Sequence, residues 1–212
     1  ANADEELTHA AAKVYQIYQQ TLKAYQAVDF DDLIKLPVEL FEQHPEVLNK
    51  WQHKLKYLLI DEYQDTNTCQ YKLVKLLTGV EGNFTAVGDD DQAIYGWRGA
   101  DVENLRQLTQ DFTRLKVIKL EQNYRSKSNI LNTANAIIDH NKNRLGKNLW
   151  TSAGEGDPIR IYTGHTDIDE AKFIVDEIKM LHREGISLNH IAILYRSNAQ
   201  SRVLEHNIFS SN

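Results

Sequence analysis

Between residues 4 and 25 apolar side chains return at Leu7, Ala11, Val14, Tyr18, Leu22 and Tyr25. Spacing of three and four lines one face of a helix, so an amphipathic helix is expected there. It begins almost at residue 1 with no cap or connection before it, the pattern of a chain that starts inside a larger protein, although a short helical N-terminus would look the same. Pro37 and Pro45 then divide the next stretch into two short helices, and Pro45 suits a first helical turn ahead of Val47, Leu48 and Trp51.

The period changes at residues 56–60, 84–88 and 116–120, short apolar runs that read as buried strands. Between the first two, Leu73, Leu76 and Leu77 give a helix an apolar face that stops at Gly79. Strand, helix and strand at this separation predict a parallel α/β sheet with crossover helices. After residue 122 the pattern restarts with a helix over 126–140, whose apolar face is Ile130, Ala134, Ile137 and Ile138, followed by the linker-like "TSAGEGDP". A strand at 159–162, a capping box of Asp167 with Glu170 opening a helix through residue 181, a strand at 191–195 and a short helix at 200–209 complete a second α/β unit. It has few strands for a sheet of ordinary size.

The 212 residues carry 24 Lys and Arg against 30 Asp and Glu, a net charge of −6, which does not by itself advertise nucleic-acid binding. Three local basic patches stand out: Lys116 with Lys119, Arg125 with Lys127, and the run Lys142, Arg144 and Lys147. Each reads either as a solvated mixed surface or as a local contact for nucleic acid. The longest apolar runs are too short for a bilayer and no signal pattern opens the chain, so a cytoplasmic protein with no membrane partner is expected. The single cysteine, Cys69, excludes an internal disulfide and reads as a packing residue.

Ligands of open parallel sheets bind beyond the carboxyl ends of the strands. Asp61 and Glu62 end the first run; Asp89, Asp90, Asp91 and Gln92 end the second; Glu121, Gln122, Tyr124 and Arg125 follow the third. Carboxylates crowded together repel unless a cation sits among them, and oxygen donors suit Mg²⁺. Either acidic motif alone would also serve as a polar turn or half of a surface salt bridge. In "GDDDQAIYGWRGAD", residues 88–101, Tyr95 and Trp97 flank Gly96 and precede Arg98. Aromatics beside arginine stack on nucleic-acid bases at about 1–3 kcal/mol each, and a folded-over hydrophobic loop is the ordinary alternative. Arg125 reads either as a buried ion-pair residue or as an arginine meeting a terminal phosphate. The eight histidines show no metal-ligand spacing.

"DFDDL" (29–33), "LLIDEYQDTN" (58–67), "VGDDDQAIYGWRGAD" (87–101), "LEQNYRS" (120–126) and "ILYRSNAQSRVLE" (193–205) occur in the order of superfamily 1 DNA helicases. The chain resembles their UvrD, PcrA and Rep group over residues 29–205, with "DDDQ" and "VIKLEQNYRS" most like Rep. The resemblance implies RecA-like parallel sheets, ATP and Mg²⁺ as cofactors, and translocation in the 3′ to 5′ sense on single-stranded DNA with unwinding at single–double-strand junctions. It further implies that Asp61 holds Mg²⁺, Glu62 is the general base and Gln92 senses the terminal phosphate. Tyr95, Trp97 and Arg98 would hold single-stranded DNA, Tyr124 would stack on adenine, and Arg125 would be the arginine finger. Replication or repair proteins are the expected partners.

No G-x-x-x-x-G-K-[ST] phosphate loop occurs in these residues. A fragment is therefore expected, inactive by itself: the end of a helical insertion (1–34), the latter half of a first RecA-like domain (35–116) and the opening of a second (117–212). The alternative is a naturally short, non-catalytic module that binds DNA or a partner. A two-metal nuclease fits less well, because the acids fall in ATPase motifs.

Overall fold

A computed structural model describes residues 3–79 and 82–211. The chain forms two compact units, Ala1–Asn123 with Thr133–Trp150, and Tyr124–Asn132 with Thr151–Asn212.

The first unit opens with helix α1 (Ala3–Ala24), where the apolar period required one. Its stripe is not packed: Leu7, Val14 and Ile17 are exposed. Helix α2 (Asp32–Gln43) starts at the "DFDDL" run, because the Asp29 carboxylate accepts the Asp32 N–H at 2.8 Å and the buried Asp32 carboxylate accepts the Asp29 N–H at 3.3 Å. This reciprocal pair satisfies amides that a helix start leaves open. Pro37 lies inside α2 rather than at a boundary. A proline there cannot donate to the Leu33 carbonyl one turn back, and Leu33 lies on the exposed side of the helix. Pro45 does open helix α3 (Pro45–Lys54).

Strands β1 (Leu58–Ile60) and β2 (Phe84–Ala86) pair in parallel, with Leu58 beside Phe84 and Ile60 beside Ala86. Helix α4 (Thr68–Thr78) makes the crossover, opened by a capping box of Asn67 with Gln70 and closed at Gly79. Tyr63, Tyr71, Val74, Phe84 and Leu108 form the core, with Leu58, Ile60, Ala86 and Phe112 packed against it. Leu108 comes from helix α5 (Glu103–Asp111), and the Phe84 and Phe112 rings meet edge to face at 4.8 Å.

Residues 116–120 do not form the expected third strand. Val117, Ile118 and Leu120 are exposed, and strand structure requires a ladder partner that the described residues do not supply. Beyond them, among the described residues, an isolated bridge joins Gln122 to Trp150. The helix read over 126–140 is shorter, α6 (Ser128–Ile138).

In the second unit helix α7 (Asp167–Arg183) is capped by Thr166, whose hydroxyl accepts the Asp169 N–H at 3.1 Å; the expected Asp167–Glu170 box is one residue out of register. Residues 159–162 and 191–195 are likewise unpaired among the described residues, and Ile161 and Leu194 are exposed. Side chains rather than a ladder hold the first of these to α7: Tyr162 stacks on Phe173 at 4.0 Å, and Arg160 pairs with Glu177. Helix α8 (Ser201–Phe209) lies against α7.

One core group invites a stability test. Tyr63 is fully buried, and its hydroxyl finds no hydrogen-bond partner among the described residues. Burial, with the Asp111 charge adding, pushes this phenol above its ordinary range. Removing an unmatched buried hydroxyl recovers a desolvation penalty of about 1–3 kcal/mol. Tyr63→Phe is expected to raise the melting temperature or leave it unchanged in thermal unfolding; a clear drop would reveal a partner for that oxygen.

Candidate functional site

The acid pair sits where β1 ends. Glu62 adopts the left-handed conformation, φ 50° and ψ 45°, which a residue with a side chain holds only when its surroundings enforce it. Here the constraint comes from both sides. The Asp61 carboxylate accepts the Glu62 N–H at 2.9 Å, while the next amide, Tyr63, donates to the Val87 carbonyl at 2.9 Å and extends the β1–β2 ladder. Both acids keep exposed side chains at the carboxyl end of the strand.

Behind them lies Gln64, 2 % exposed. Its Nε2 donates to Glu62 Oε2 at 2.8 Å and its Oε1 accepts the Asp89 N–H at 3.0 Å, so one side-chain amide joins the two strand ends. Gly88 makes this possible: a Cβ there would lie 3.1 Å from Gln64 Oε1 and 3.3 Å from the Gln64 nitrogen. Asp89 passes the connection on, its Oδ2 accepting from Gln92 Nε2 at 2.7 Å. A side-chain amide nitrogen has two hydrogens, so one remains for a phosphate oxygen.

The aspartate triplet is not the open metal cluster that crowding suggested. Its carboxylate oxygens lie within 4.8 Å of one another, close enough for one ion. However, Arg144 grips Asp91 with Nε and Nη2, each at 2.8 Å, Lys147 contacts Asp89 and also reaches Asp91 at 3.2 Å, and the Leu145 N–H donates to Asp90 at 2.6 Å. The cations are the protein's own. Hydrogen bonds from Arg144, and then from Lys147, hold the Asp91 carboxyl below the usual carboxylate range, against the opposing effect of burial. Asp61 and Glu62 are left as the hard-oxygen pair that suits Mg²⁺.

The aromatic loop follows directly. Trp97 is 79 % exposed and Tyr95 38 %, with ring centres 6.5 Å apart. The Arg98 guanidinium carbon lies 5.6 Å from the Tyr95 ring centre and 5.7 Å from that of Trp97, within cation–π range of both. A short turn over Gly96–Arg98 ends on Gly99 at φ 88°, a conformation that costs glycine little. An exposed, arginine-braced pair of rings can stack on flat apolar groups such as bases. The exit of the loop is tied back to the turn after Glu62: the Asp101 N–H and Asn104 Nδ2 both donate to the Thr66 carbonyl at 2.9 Å.

Tyr124 and Arg125 open the second unit, both exposed. Just after them the start of α6 is held by the Ser128 N–H on the Gly154 carbonyl at 3.0 Å and by Lys127 Nζ on the Ala153 carbonyl at 2.6 Å.

Four participants escaped the sequence reading: Gln64, Asn104, Arg144 and Lys147. Asn104 left a trace, since it lies one turn before buried Leu108 on the apolar side of α5 and is itself 2 % exposed. Arg144 and Lys147 were visible only as a surface-like basic run. Gln64 stood inside a quoted motif, with nothing local to show that its amide spans two strand ends.

A parallel β–α–β unit with acids, an amide and a stacking loop at its carboxyl end is the arrangement of a partial RecA-like helicase fold. Comparison with known families agrees. The family model of the UvrD/REP helicase N-terminal domain matches residues 1–113, and that of the UvrD-like helicase C-terminal domain matches residues 118–212. The chain belongs to the UvrD/REP helicase family. It is 50% identical over 193 residues to DNA helicase II of Haemophilus influenzae, covering 91% of this chain and 26% of that protein. It is 51% identical over 201 residues to ATP-dependent DNA helicase PcrA of Staphylococcus epidermidis, and 46% identical over 211 residues to the PcrA of Leuconostoc citreum. Those matches cover 95% and 99% of this chain, and the chain spans 28% of the length of each PcrA. No described helix is long and apolar enough to cross a membrane.

Proposed function

We propose that these residues are part of an ATP-driven motor that moves 3′ to 5′ along single-stranded DNA and opens duplex at single–double-strand junctions, in cytoplasmic DNA replication or repair. The hydrogen-bonded series Glu62–Gln64–Asp89–Gln92 carries the reading, because it joins a candidate base to a candidate phosphate sensor across two strand ends. Asp61 would hold Mg²⁺, which when bound neutralises charge on the terminal phosphates. Gln64 holds Oε2 of Glu62, so the attacking water gives its proton to Oε1. Gln92 keeps one amide hydrogen for a phosphate oxygen while Asp89 fixes the other. Tyr124 stacks on the adenine and Arg125 offsets charge on the transferred phosphoryl group, as the family resemblance implies. Tyr95, Trp97 and Arg98 grip the strand, and the anchoring of their loop to Thr66 gives them a short route to the Glu62 turn.

DNA binding tests this directly. Stacking is worth about 1–3 kcal/mol per base, so in a full-length protein carrying these residues Trp97→Ala is expected to weaken single-stranded DNA binding by roughly 5- to 150-fold. The loss should be similar for all sequences and leave the salt slope nearly unchanged, since no phosphate contact is removed. Fluorescence anisotropy with labelled oligonucleotides reads both quantities, and an unaltered affinity removes the loop from the account.

A further inference from the structure

The basic run Lys142, Arg144 and Lys147 has a second role in prospect, because its members part company in the fold. Lys142 is exposed, whereas the Arg144 and Lys147 side chains are only 12% and 19% exposed. The segment containing them meets the aspartate triplet residue by residue: Arg144 on Asp91, the Leu145 N–H on Asp90, Lys147 on Asp89. It is itself held from outside. Arg106 Nη2 donates to the Asn143 carbonyl at 2.8 Å, Lys119 Nζ to the Leu145 carbonyl at 3.0 Å, and the Asn148 N–H to Glu121 Oε1 at 2.9 Å. Arg144 also reaches Asp139 at 2.8 Å and the Lys147 carbonyl at 3.2 Å, which stiffens the segment internally.

These contacts converge on Asp89. Its Oδ1 takes Lys147 and the Asp91 N–H, and its Oδ2 takes the Gln92 amide. Three consecutive carboxylates this close repel one another when no cation is present, which works against the turn that carries Gln92. Charge-assisted bonds of the bidentate kind seen at Arg144 fix orientation as well as position. The cations come from the stretch matched by the C-terminal family model, residues 118–212, yet are folded into the first compact unit with the aspartates.

We propose that Arg144 and Lys147 are positioning residues that clasp the Asp89–Asp91 turn and thereby orient Gln92 for its part in nucleotide turnover. The proposal rests on the reading of Gln92 as the phosphate sensor. Neither cation touches nucleotide; both act through Asp89 and Asp91.

The test uses a full-length protein carrying these residues and compares Gln92→Ala, Arg144→Met, Lys147→Met and the exposed control Lys142→Met. DNA-stimulated kcat for ATP is expected to fall at least about tenfold in the first three, with KM for ATP within about threefold and the control unchanged. Backbone hydrogen exchange at residues 89–92 should accelerate in Arg144→Met and Lys147→Met while α4 amides keep their protection. Combining Asp91→Arg with Arg144→Asp should recover most of the activity that either change loses alone. If Gln92→Ala lowers turnover but both cation variants leave it intact, the clasp is overturned and the site reading stands. If exchange rises through α4 as well, the pair is a general structural link and the positioning role is overturned. If Gln92→Ala leaves turnover unaltered, the sensor reading falls and takes this proposal with it.

Discussion

Glu62→Gln, in a full-length protein carrying these residues, is expected to lower ATP turnover by about 10²- to 10⁴-fold, the usual worth of a positioned general base. The substitution keeps the shape and an oxygen able to accept the Gln64 amide, but removes the basic oxygen that takes the water's proton. Binding of ATP and of single-stranded DNA should change little, because Asp61 and the Tyr95–Arg98 loop are untouched. Steady-state hydrolysis together with nucleotide and oligonucleotide binding separates the two effects. The left-handed backbone at Glu62, φ 50°, is consistent with a side chain held in one direction, although Gln26 adopts φ 53° without any part in this site. The 212-residue chain by itself contains no phosphate loop and is expected to show no measurable hydrolysis. Robust turnover by this chain, abolished by Glu62→Gln, would overturn that expectation.

The second large effect is expected at Gln64. Leucine has nearly the same bulk, so Gln64→Leu leaves little cavity, but it removes the donor to Glu62 and the acceptor for the Asp89 N–H. The part-buried Asp89 N–H left without its acceptor costs up to about 1–3 kcal/mol, which for a chain of this size lowers the melting temperature by at most roughly 2–12 °C. Turnover should fall further than stability explains, because Glu62 loses its bracing and Gln92 loses its connection to the first strand. Activity measured well below the melting transition distinguishes these contributions; full activity there would show that the series of bonds is structural only. The contrast with Tyr63→Phe is instructive. Adjacent buried residues give opposite signs because the Gln64 amide has a partner at both its nitrogen and its oxygen, whereas the Tyr63 hydroxyl has none among the described residues.

Much of the fold was legible beforehand. The three-and-four period announced α1, Pro45 announced the start of α3, and the apolar runs before Asp61 and Asp89 became the paired strands β1 and β2. These readings depend on local periodicity and on backbone chemistry carried by the residue itself. The runs at 116–120, 159–162 and 191–195 have the same local character, and none pairs among the described residues. A strand is a relation between two segments, and apolar content signals only readiness for one. The Asp167–Glu170 box failed by one residue for a related reason: Thr166 and Asp167 are both competent caps, and the backbone path selects between them.

The candidate site residues divide along the same line. Asp61, Glu62, Gln92 and the Tyr95–Arg98 loop could be named from motif order, since their chemistry is written in short runs of the chain. That the triplet's counter-ions are Arg144 and Lys147, 53 and 58 residues away, could not be named, because charges far apart in sequence become partners only when a fold sets them face to face. Residue types and their order decided which chemistry is available and which family the chain joins. Packing decided which acids keep water and which surrender it to an internal cation, for the energy of a charge depends on what lies within a few ångströms of it and not on its neighbours along the chain.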